Sequence, residues 1–282
     1  MRKVLVVGAG GMLGRAAAAA FSRAGWDVAA VPRQELDVTD AGAVREAVGG
    51  LRPAVVVNCA AYTAVDRAEL EPDRAVAVNA LGARNLAQAC LEAGAEMVHV
   101  STDYVFPGSK GKPYSVWDPC DPLNAYGRSK ALGEELVRSV LPRHYVVRTA
   151  WLFGQGKRNF VSTVLEIARS SGVVQAVDSE RGCPTFAEDL AWVLVDLVAR
   201  EAYGTYHVTN SGSATRLELA REAVRLAGIP ARVEPAPAGL FRHLAPRPPE
   251  VVLDPFPLRE VVGYLLPDWR DALARYVRGC SG

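Results

Sequence analysis

The sequence is poor in the residues that build disulfide frameworks and metal sites. Its five cysteines are an odd number, lie far apart and form no Cys-x-x-Cys pair, and its four histidines are scattered. Disulfide scaffolds and zinc sites need paired or clustered ligands at short spacings. We therefore expect reduced thiols in a cytoplasmic protein, and no bound metal.

Long apolar runs and a charge excess are lacking as well. No run approaches the roughly 18–20 apolar residues that cross a membrane. The short run after Arg2 and Lys3 leads into a glycine turn, unlike a signal peptide. The formal net charge of +1 gives no indication of a basic face that would bind a nucleic acid. The sequence therefore predicts binding to neither nucleic acid nor membrane.

What the chain does contain is an alternation of short apolar runs with helix-forming segments. We predict strands at about 4–7, 27–31, 54–58, 96–100 and 145–149, each followed by a helix. Fully apolar, β-branched runs of this length are typical of strands buried on both faces of a parallel sheet. The predicted fold is α/β, a doubly wound parallel sheet of Rossmann-like type.

The 282 residues suffice for one large domain or for two domains that pack closely against each other. We assign residues 1–153 to a dinucleotide-binding domain and 154–282 to a smaller C-terminal α/β substrate-binding portion. The helix predicted at about 186–199 is expected to pack back on the first sheet. Eight prolines between Pro230 and Pro257 predict an irregular loop there.

A glycine-rich turn joins the first strand to the first helix. Gly8 allows a tight turn, Gly11 allows the backbone to approach a pyrophosphate, and Gly14 allows the helix to pack on the strand. Met12 and Leu13, between these glycines, are assigned to the cofactor site, and the N-terminus of the alanine-rich helix predicted from Arg15 offers free N–H groups to the phosphates. The turn predicts a dinucleotide site. A purely structural role for these glycines is the alternative.

The end of the second strand bears on the choice of cofactor. NAD-binding folds often carry a carboxylate there, but this chain has Arg33. An arginine suits a 2′-phosphate, which favours NADPH over NADH; a solvated loop residue is the alternative. Asp37 is placed to accept from the adenine amino group while Val38 packs on the ring.

Small residues follow the third strand, where the carboxyl edge of a parallel sheet forms a ligand crevice. Ala60, Ala61, Tyr62 and Thr63 are predicted to line the cofactor site. Asn79, inside the next helix, either reaches the sheet or is an ordinary helix residue.

Hydroxyls and a carboxylate follow the fourth strand, at Thr102, Asp103 and Tyr104. Tyr126 and Lys130 lie four residues apart on the next helix and therefore on one face. Reduction of a ketone needs a proton donor and a group that orients the carbonyl. We predict Tyr126 as the acid, Lys130 as the group that lowers its pKa and binds ribose hydroxyls, and Thr102 as the orienting hydroxyl.

At this point the chain resembles the extended branch of the short-chain dehydrogenase/reductase superfamily, and within it the dTDP-4-dehydrorhamnose reductase family. The resemblance covers nearly the whole chain. It is carried by Gly8-x-x-Gly11-x-x-Gly14, Asn58 to Asp66, Ser101 to Phe106, Tyr126 to Lys130, Arg148 to Trp151, Gly182 to Thr185, and Arg247-Pro248.

The resemblance implies hydride transfer from NADPH, or NADH, to the C4 ketone of dTDP-4-dehydro-β-L-rhamnose. Asp103, Tyr104 and Trp151 would line the sugar site. Arg247 would bind the nucleotide diphosphate, or else form a loop salt bridge. A nucleotide-sugar substrate and a monomer or homodimer are expected.

Two departures from the family pattern stand out. The serine often found three residues past the Arg-Pro pair is missing, since Val251 stands there, and Arg15 occupies a position where some relatives carry a magnesium-binding acid. Two alternatives stay open: a related nucleotide-sugar dehydratase or epimerase, and a non-catalytic subunit similar to that of methionine adenosyltransferase. A dehydratase would carry a second carboxylate after Asp103, where this chain has Tyr104.

Overall fold

The computed structural model describes residues 2–237 and 239–280 of the chain. The strands are β1 (Lys3–Val7), β2 (Asp27–Val31), β3 (Val55–Asn58), β4 (Glu96–Thr102), β5 (His144–Thr149), β6 (Leu152–Phe153), β7 (Val173–Ala176), β8 (Arg181–Gly182), β9 (Thr185–Phe186), β10 (Gly204–His207), β11 (Ala214–Thr215) and β12 (Arg232–Pro235).

The helices are α1 (Met12–Arg23), α2 (Ala41–Leu51), α3 (Val65–Leu70), α4 (Pro72–Val76), α5 (Gly82–Ala93), α6 (Ala125–Val140), α7 (Phe160–Ser171), α8 (Ala187–Arg200), α9 (Arg216–Leu226), α10 (Leu258–Val262) and α11 (Trp269–Gly279). A π-helical turn, Ala77–Leu81, joins α4 to α5, and a 3-10 turn, Asp103–Val105, follows β4. Within the described ranges, no helix is both long and apolar enough to cross a membrane.

Six parallel strands form the central sheet in the order β10-β5-β4-β3-β1-β2. On one face, Val6 and Val57 share a core with Phe21 of α1 and Leu190 of α8. On the other face, side chains of α2, α5 and α6 pack on β1 and β3. The central strands are buried on both faces, as their continuous apolar runs predict. The predicted fold class is confirmed.

The C-terminal part of the chain contributes to this sheet as well as to a second core. Strand β10 pairs in parallel with β5, with Tyr206 opposite Val147. Helices α7, α9 and α11 enclose a separate apolar cluster that includes Phe153, Leu165 and Trp269. The two parts are therefore interleaved, and the limits 1–153 and 154–282 stay a prediction.

Asp, Asn and Ser are favoured N-cap residues, so the sequence predicts caps at Asp40, at Asn124 and at Ser213, the last for a helix starting at residue 214. Asp40 and Asn124 cap α2 and α6 with their side chains. The prediction for Ser213 is wrong. Helix α9 starts at Arg216, because Thr215 and Glu218 form a capping box.

Candidate active site

The glycine turn between β1 and α1 brings backbone segments unusually close together. Gly8 has φ +77°, and a Cβ there would lie 2.6 Å from the Ala60 nitrogen. A Cβ at Gly14 would lie 2.4 Å from the Gly8 oxygen. Gly11 is the N-cap residue of α1 and supplies no capping side chain. The first N–H groups of α1 are therefore left for an external anion.

Two adjoining cavities of about 420 Å³ and about 410 Å³ lie along the carboxyl edge of the sheet. They share a border at the glycine turn, formed by Gly11, Cys59, Ala61, Thr63 and Lys157. Together they form a trough that runs from the end of β2 to the end of β5.

The first cavity holds the residues that sequence reasoning assigned to the adenosine half of a dinucleotide. Arg33, Asp37 and Val38 all line it. The guanidinium of Arg33 lies 3.5 Å from the Asp37 carboxylate. Hydrogen bonds from Thr39, helped by Arg33, lower the pKa of Asp37. This end of the trough thus carries an ionised acceptor beside an exposed cation.

The segment after β3 forms the floor between the cavities, and Ala60, Ala61, Tyr62 and Thr63 line the first of them. Asn79 holds this segment by accepting from the Tyr62 nitrogen at 2.8 Å and donating to the Tyr62 oxygen at 3.1 Å. It also donates to the Ser129 hydroxyl at 2.9 Å. Asn79 lies in the π-helical turn and bonds to the segment that follows β3 and to α6, and not to a strand of the sheet.

The second cavity brings Thr102, Tyr126 and Lys130 together. The Thr102 hydroxyl donates to Asp103 Oδ1 at 3.0 Å and accepts from the Tyr104 nitrogen at 3.2 Å. Burial raises the pKa of Tyr126 above its ordinary value, and a hydrogen bond with Thr102 opposes that rise. The phenol is therefore protonated near neutral pH.

The expected lowering of the Tyr126 pKa by Lys130 stays a prediction, because Lys130 is not among the groups that shift this pKa in the present arrangement. Lys130 Nζ donates to the Val100 oxygen at 2.6 Å instead of approaching the phenol. Burial lowers the pKa of Lys130 to about 8, against the opposing effect of Glu134 and Cys59. The lysine is itself a titrating group near neutral pH.

Asp103 is a third group in this cavity whose pKa is shifted by burial. It is 3% exposed, and burial raises its pKa to about 6, although Thr102 and Arg216 act in the opposite direction. The Thr102 hydroxyl therefore donates to a carboxylate that is ionised only above mildly acidic pH.

Trp151 lies at the far end of the second cavity in a left-handed conformation, with φ +43°. A Cβ at Gly182 would lie 2.5 Å from its ring, so only glycine fits beneath it. The Arg216 guanidinium carbon lies 3.5 Å from the ring centroid. Sequence reasoning missed Arg216, because a single arginine at a helix start carries no distinguishing pattern.

Arg247 and Arg216 meet at the entrance to a third cavity of about 380 Å³, together with Tyr104. Arg247 forms an ion pair with Asp66 at 2.8 Å and donates to the Tyr104 hydroxyl at 3.3 Å. Burial and nearby Arg247 lower the pKa of Arg216, against Glu180, Tyr104 and Asp103. Two guanidiniums therefore line this cavity, and Arg247 forms the loop salt bridge with Asp66 that the sequence left open as the alternative to diphosphate binding.

The donor set of the trough fits a dinucleotide. The Gly11 backbone and the Lys157 side chain line both cavities, where a pyrophosphate would bridge them. The buried Thr149 hydroxyl lines the second cavity and has no hydrogen-bond partner among the described residues. An unsatisfied buried hydroxyl favours a polar ligand group at that position.

The comparisons with known proteins agree with this geometry. The RmlD substrate binding domain family model matches residues 1–281. The chain is 48% identical over 276 residues to a dTDP-4-dehydrorhamnose reductase from Streptomyces griseus, covering 95% of this chain and 91% of the relative. It is 44% identical over 273 residues to a probable dTDP-4,6-dihydroxy-2-methyloxan-3-one 4-ketoreductase from Streptomyces antibioticus, covering 95% and 92%.

Among solved structures, a dTDP-4-dehydrorhamnose reductase from Bacillus anthracis in complex with NADP superposes with a TM-score of 0.96. It is 34% identical, and the match covers 99% of this chain and 100% of that one. Both the family match and these identities extend over almost the entire chain, so the chain belongs to the RmlD substrate binding domain family.

Proposed function

We propose that the protein is an NADPH-dependent reductase that converts the C4 ketone of dTDP-4-dehydro-β-L-rhamnose to the alcohol of dTDP-β-L-rhamnose. The observation that carries this proposal is the meeting of Thr102, Tyr126 and Lys130 in a cavity that opens directly onto the glycine turn. The names of the relatives support the nucleotide-sugar class and the reductase chemistry.

Tyr126 acts as the general acid in this proposal. Its burial keeps the phenol protonated, so it has a proton to give to the oxygen of the reduced carbonyl. The Thr102 hydroxyl orients that oxygen, while Asp103 holds the Thr102 side chain. Bound NADPH supplies the hydride, and Lys130 contributes donors for the ribose hydroxyls.

The cofactor half of the trough suits NADPH. Arg33 is exposed beside the first cavity, where its charge is available to a 2′-phosphate. Gly8, Gly11, Met12, Leu13 and Gly14 provide the turn and the helix N-terminus for the pyrophosphate. Ala60, Ala61, Tyr62 and Thr63 form the floor under the cofactor.

The substrate half extends from Trp151 to the third cavity. Asp103, Tyr104 and Trp151 border the sugar, and Arg247 with Arg216 binds the diphosphate. The third cavity, lined by Phe160, Ile167 and Phe241 among others, offers the apolar surface that a nucleobase needs. A cytoplasmic location and a monomeric or homodimeric state remain proposals from the sequence.

The decisive experiment follows NADPH oxidation by absorbance with enzymatically generated dTDP-4-dehydrorhamnose. Tyr126→Phe is expected to lower kcat at least about a hundredfold because the proton donor is lost. Tyr264→Phe is the matched control, since Tyr264 is surface-exposed and bonded to Asp196. Full activity of Tyr126→Phe, or no turnover by the unmodified protein with bound NADPH, contradicts the proposal.

A second candidate substrate is another dTDP-4-keto-deoxysugar, which the Streptomyces antibioticus relative's name favours. Parallel assays with both sugars separate the two by kcat/KM. An epimerase would retain its cofactor tightly through turnover, so nucleotide released from denatured protein distinguishes that alternative. A non-catalytic subunit would bind NADPH without oxidising it.

A further inference from the structure

Residues 239–247 of the proline-rich loop form a strap that borders the third cavity. The chain before the strap is held by β12, which pairs in parallel with β7. The chain after it is held at Gly108, where a Cβ would lie only 2.9 Å from Pro248 Cβ. Phe241 and Arg247 of the strap line the third cavity. The position of the strap therefore shapes the substrate half of the proposed site.

Apolar burial does little to hold the strap in this position. Leu240, Phe241 and Leu244 are 48%, 47% and 56% exposed, respectively. Ala245 is buried, but its side chain is only a methyl group. Half-exposed side chains gain only part of the free energy that full burial provides. Polar contacts with the rest of the protein therefore have to fix the strap.

Asp66, in the first turn of α3, contacts three residues of the strap. Its Oδ1 accepts from the Ala245 N–H at 3.0 Å, and its Oδ2 lies 2.8 Å from Arg247 Nη2. His243 Nδ1 lies 3.7 Å from the same Oδ2. Burial alone would raise the pKa of Asp66, but the Ala245 N–H, Arg247 and His243 together lower it. An ionised carboxylate thus joins several points of the strap to α3.

The contact with Asp66 fixes the direction of Arg247 without using all of its hydrogen-bond donors. Nη2 donates to Asp66, and Nη1 donates to the Tyr104 hydroxyl at 3.3 Å. A guanidinium carries further N–H groups in the same rigid plane. The Arg247 side chain is 15% exposed and lines the third cavity beside Arg216. Its other N–H groups are therefore available to an anion bound there.

Asn124 gives the strap a second support, which belongs to the helix that carries Tyr126. Its Nδ2 donates to the Pro246 oxygen at 2.9 Å, while its Oδ1 caps α6. Glu69 of α3 accepts from the Ala125 N–H at 2.6 Å, in the first turn of the same helix. Helix α3 and the start of α6 therefore support the strap together and are bonded to each other.

We propose that Asp66 is a positioning residue that fastens the strap at the third cavity and holds the guanidinium of Arg247 toward the diphosphate of a bound nucleotide. This inference rests on the proposed function, in which that diphosphate belongs to the sugar nucleotide. The negative charge of Asp66 by itself repels a diphosphate. Positioning and simple charge therefore predict opposite effects when this carboxylate is neutralised.

The first test measures the strap without any ligand, by amide hydrogen exchange. Asp66→Ala removes the acceptor of the Ala245 N–H. Asp73→Ala is the matched control, because Asp73 is exposed on α4 and its side chain makes no hydrogen bond or ion pair with the described residues. We expect exchange at the Ala245 amide to speed up at least about tenfold in Asp66→Ala only. Unchanged exchange in that variant overturns the proposal.

The second test measures the binding of dTDP and of NADPH by calorimetry. Asp66→Asn keeps an acceptor oxygen but removes the charge that holds Arg247. We expect the Kd for dTDP to rise about three- to fivefold, a modest change because the ion pair is partly exposed. The Kd for NADPH should not change, since no strap residue lines the first or second cavity. Asp73→Asn should leave both constants unaltered, whereas an unchanged or lower Kd for dTDP in Asp66→Asn contradicts the proposal.

Arg247→Gln supplies a background in which Asp66 has no guanidinium to hold. There, Asp66→Asn should leave the Kd for dTDP unchanged or lower it, because only the repulsion is removed. Equal weakening in both backgrounds overturns the proposal. A protein that shows the expected exchange and binding effects but reduces no sugar supports this inference and contradicts the proposed reductase. A protein that reduces the sugar but shows neither effect overturns this inference alone.

Discussion

At the scale of single residues, burial dominates the chemistry of the site. Burial raises the pKa of Tyr126 and Asp103 and lowers that of Lys130, because each charged form is poorly solvated there. Tyr126 and Lys130 sit one helical turn apart, yet the lysine bonds to the Val100 carbonyl. Burial therefore keeps the phenol protonated, and Lys130 is not among the groups that shift its pKa in this arrangement.

The pKa of Asp103 predicts an acid limb in the pH profile of the reductase. Below about pH 6 this carboxyl is protonated and is a poorer acceptor for the Thr102 hydroxyl. We expect kcat/KM to fall as the pH drops through about 6. Asp103→Asn keeps an acceptor oxygen without titrating, so its profile should stay level there. If kcat/KM of Asp103→Asn still falls below about pH 6, a group other than Asp103 causes that fall.

At the scale of elements, a turn and a helix position the residues proposed to bind the cofactor and to catalyse the reaction. The first is the turn from β1 to α1, where Gly14 packs against the Gly8 carbonyl. The second is α6, which carries Tyr126, Lys130 and Glu134 on one face at successive turns. Glu134 is fully buried and pairs with Arg148 of β5 at 2.7 Å. This pair holds α6 against the sheet.

The glycine turn gives a matched pair of substitutions. Gly14→Ala forces backbone atoms apart, since the new Cβ would lie 2.4 Å from the Gly8 oxygen. Gly10→Ala meets only Pro32 Cβ, at 3.6 Å. We expect Gly14→Ala to lower Tm and NADPH affinity together, measured by thermal unfolding and fluorescence titration, while Gly10→Ala keeps the original Tm. Equal Tm values for the two variants would refute the packing role of Gly14.

The buried pair offers a second comparison within α6. Glu134→Gln leaves the Arg148 charge without its partner, which costs about 3–5 kcal/mol of unfolding free energy. Glu135→Gln makes the same chemical change at an exposed neighbouring position and should stay within about 0.5 kcal/mol. Denaturant unfolding measures both. Similar stabilities would mean that the pair does not hold α6 in place.

At the scale of the whole molecule, the chain returns to its first sheet partway through building its second core, because α8 and β10 precede α9 and α11. Strand β10 covers the edge of β5, and α8 shares a core with α1. The proline-rich loop returns as well, because Asp66 binds both Arg247 and the Ala245 nitrogen. The residues proposed to bind the substrate are thereby brought together from four parts of the chain: Asp103 and Tyr104, Trp151, Arg216, and Arg247.

This interleaving predicts the behaviour of a fragment. Residues 1–153 alone lack α8 and β10, so one face of the sheet and the β5 edge would be open to water. We expect the fragment to lack near-UV circular dichroism and cooperative melting, whereas the full chain shows both. A fragment that melts cooperatively as a monomer would support the division at residue 153 as an independent folding unit.

Much of the fold and of the site was predictable because the signals are local. The strands of the first half, the caps Asp40 and Asn124, and the glycine turn follow from runs and spacings of a few residues. The π-helical turn at Asn79 did not, since it depends on contacts with Tyr62 and Ser129. Arg216 was missed because its position over Trp151 depends on elements far apart in sequence.

The sequence by itself determined the parallel α/β sheet, the family and the meeting of Thr102, Tyr126 and Lys130 in one cavity. Periodicity, glycine spacing and residue type are properties of short segments, and they survive without tertiary contacts. Only the tertiary structure decided where Lys130 points, how far burial moves each pKa, and which arginines meet at Tyr104. Those quantities depend on desolvation and on neighbours contributed by remote elements, which no local pattern encodes.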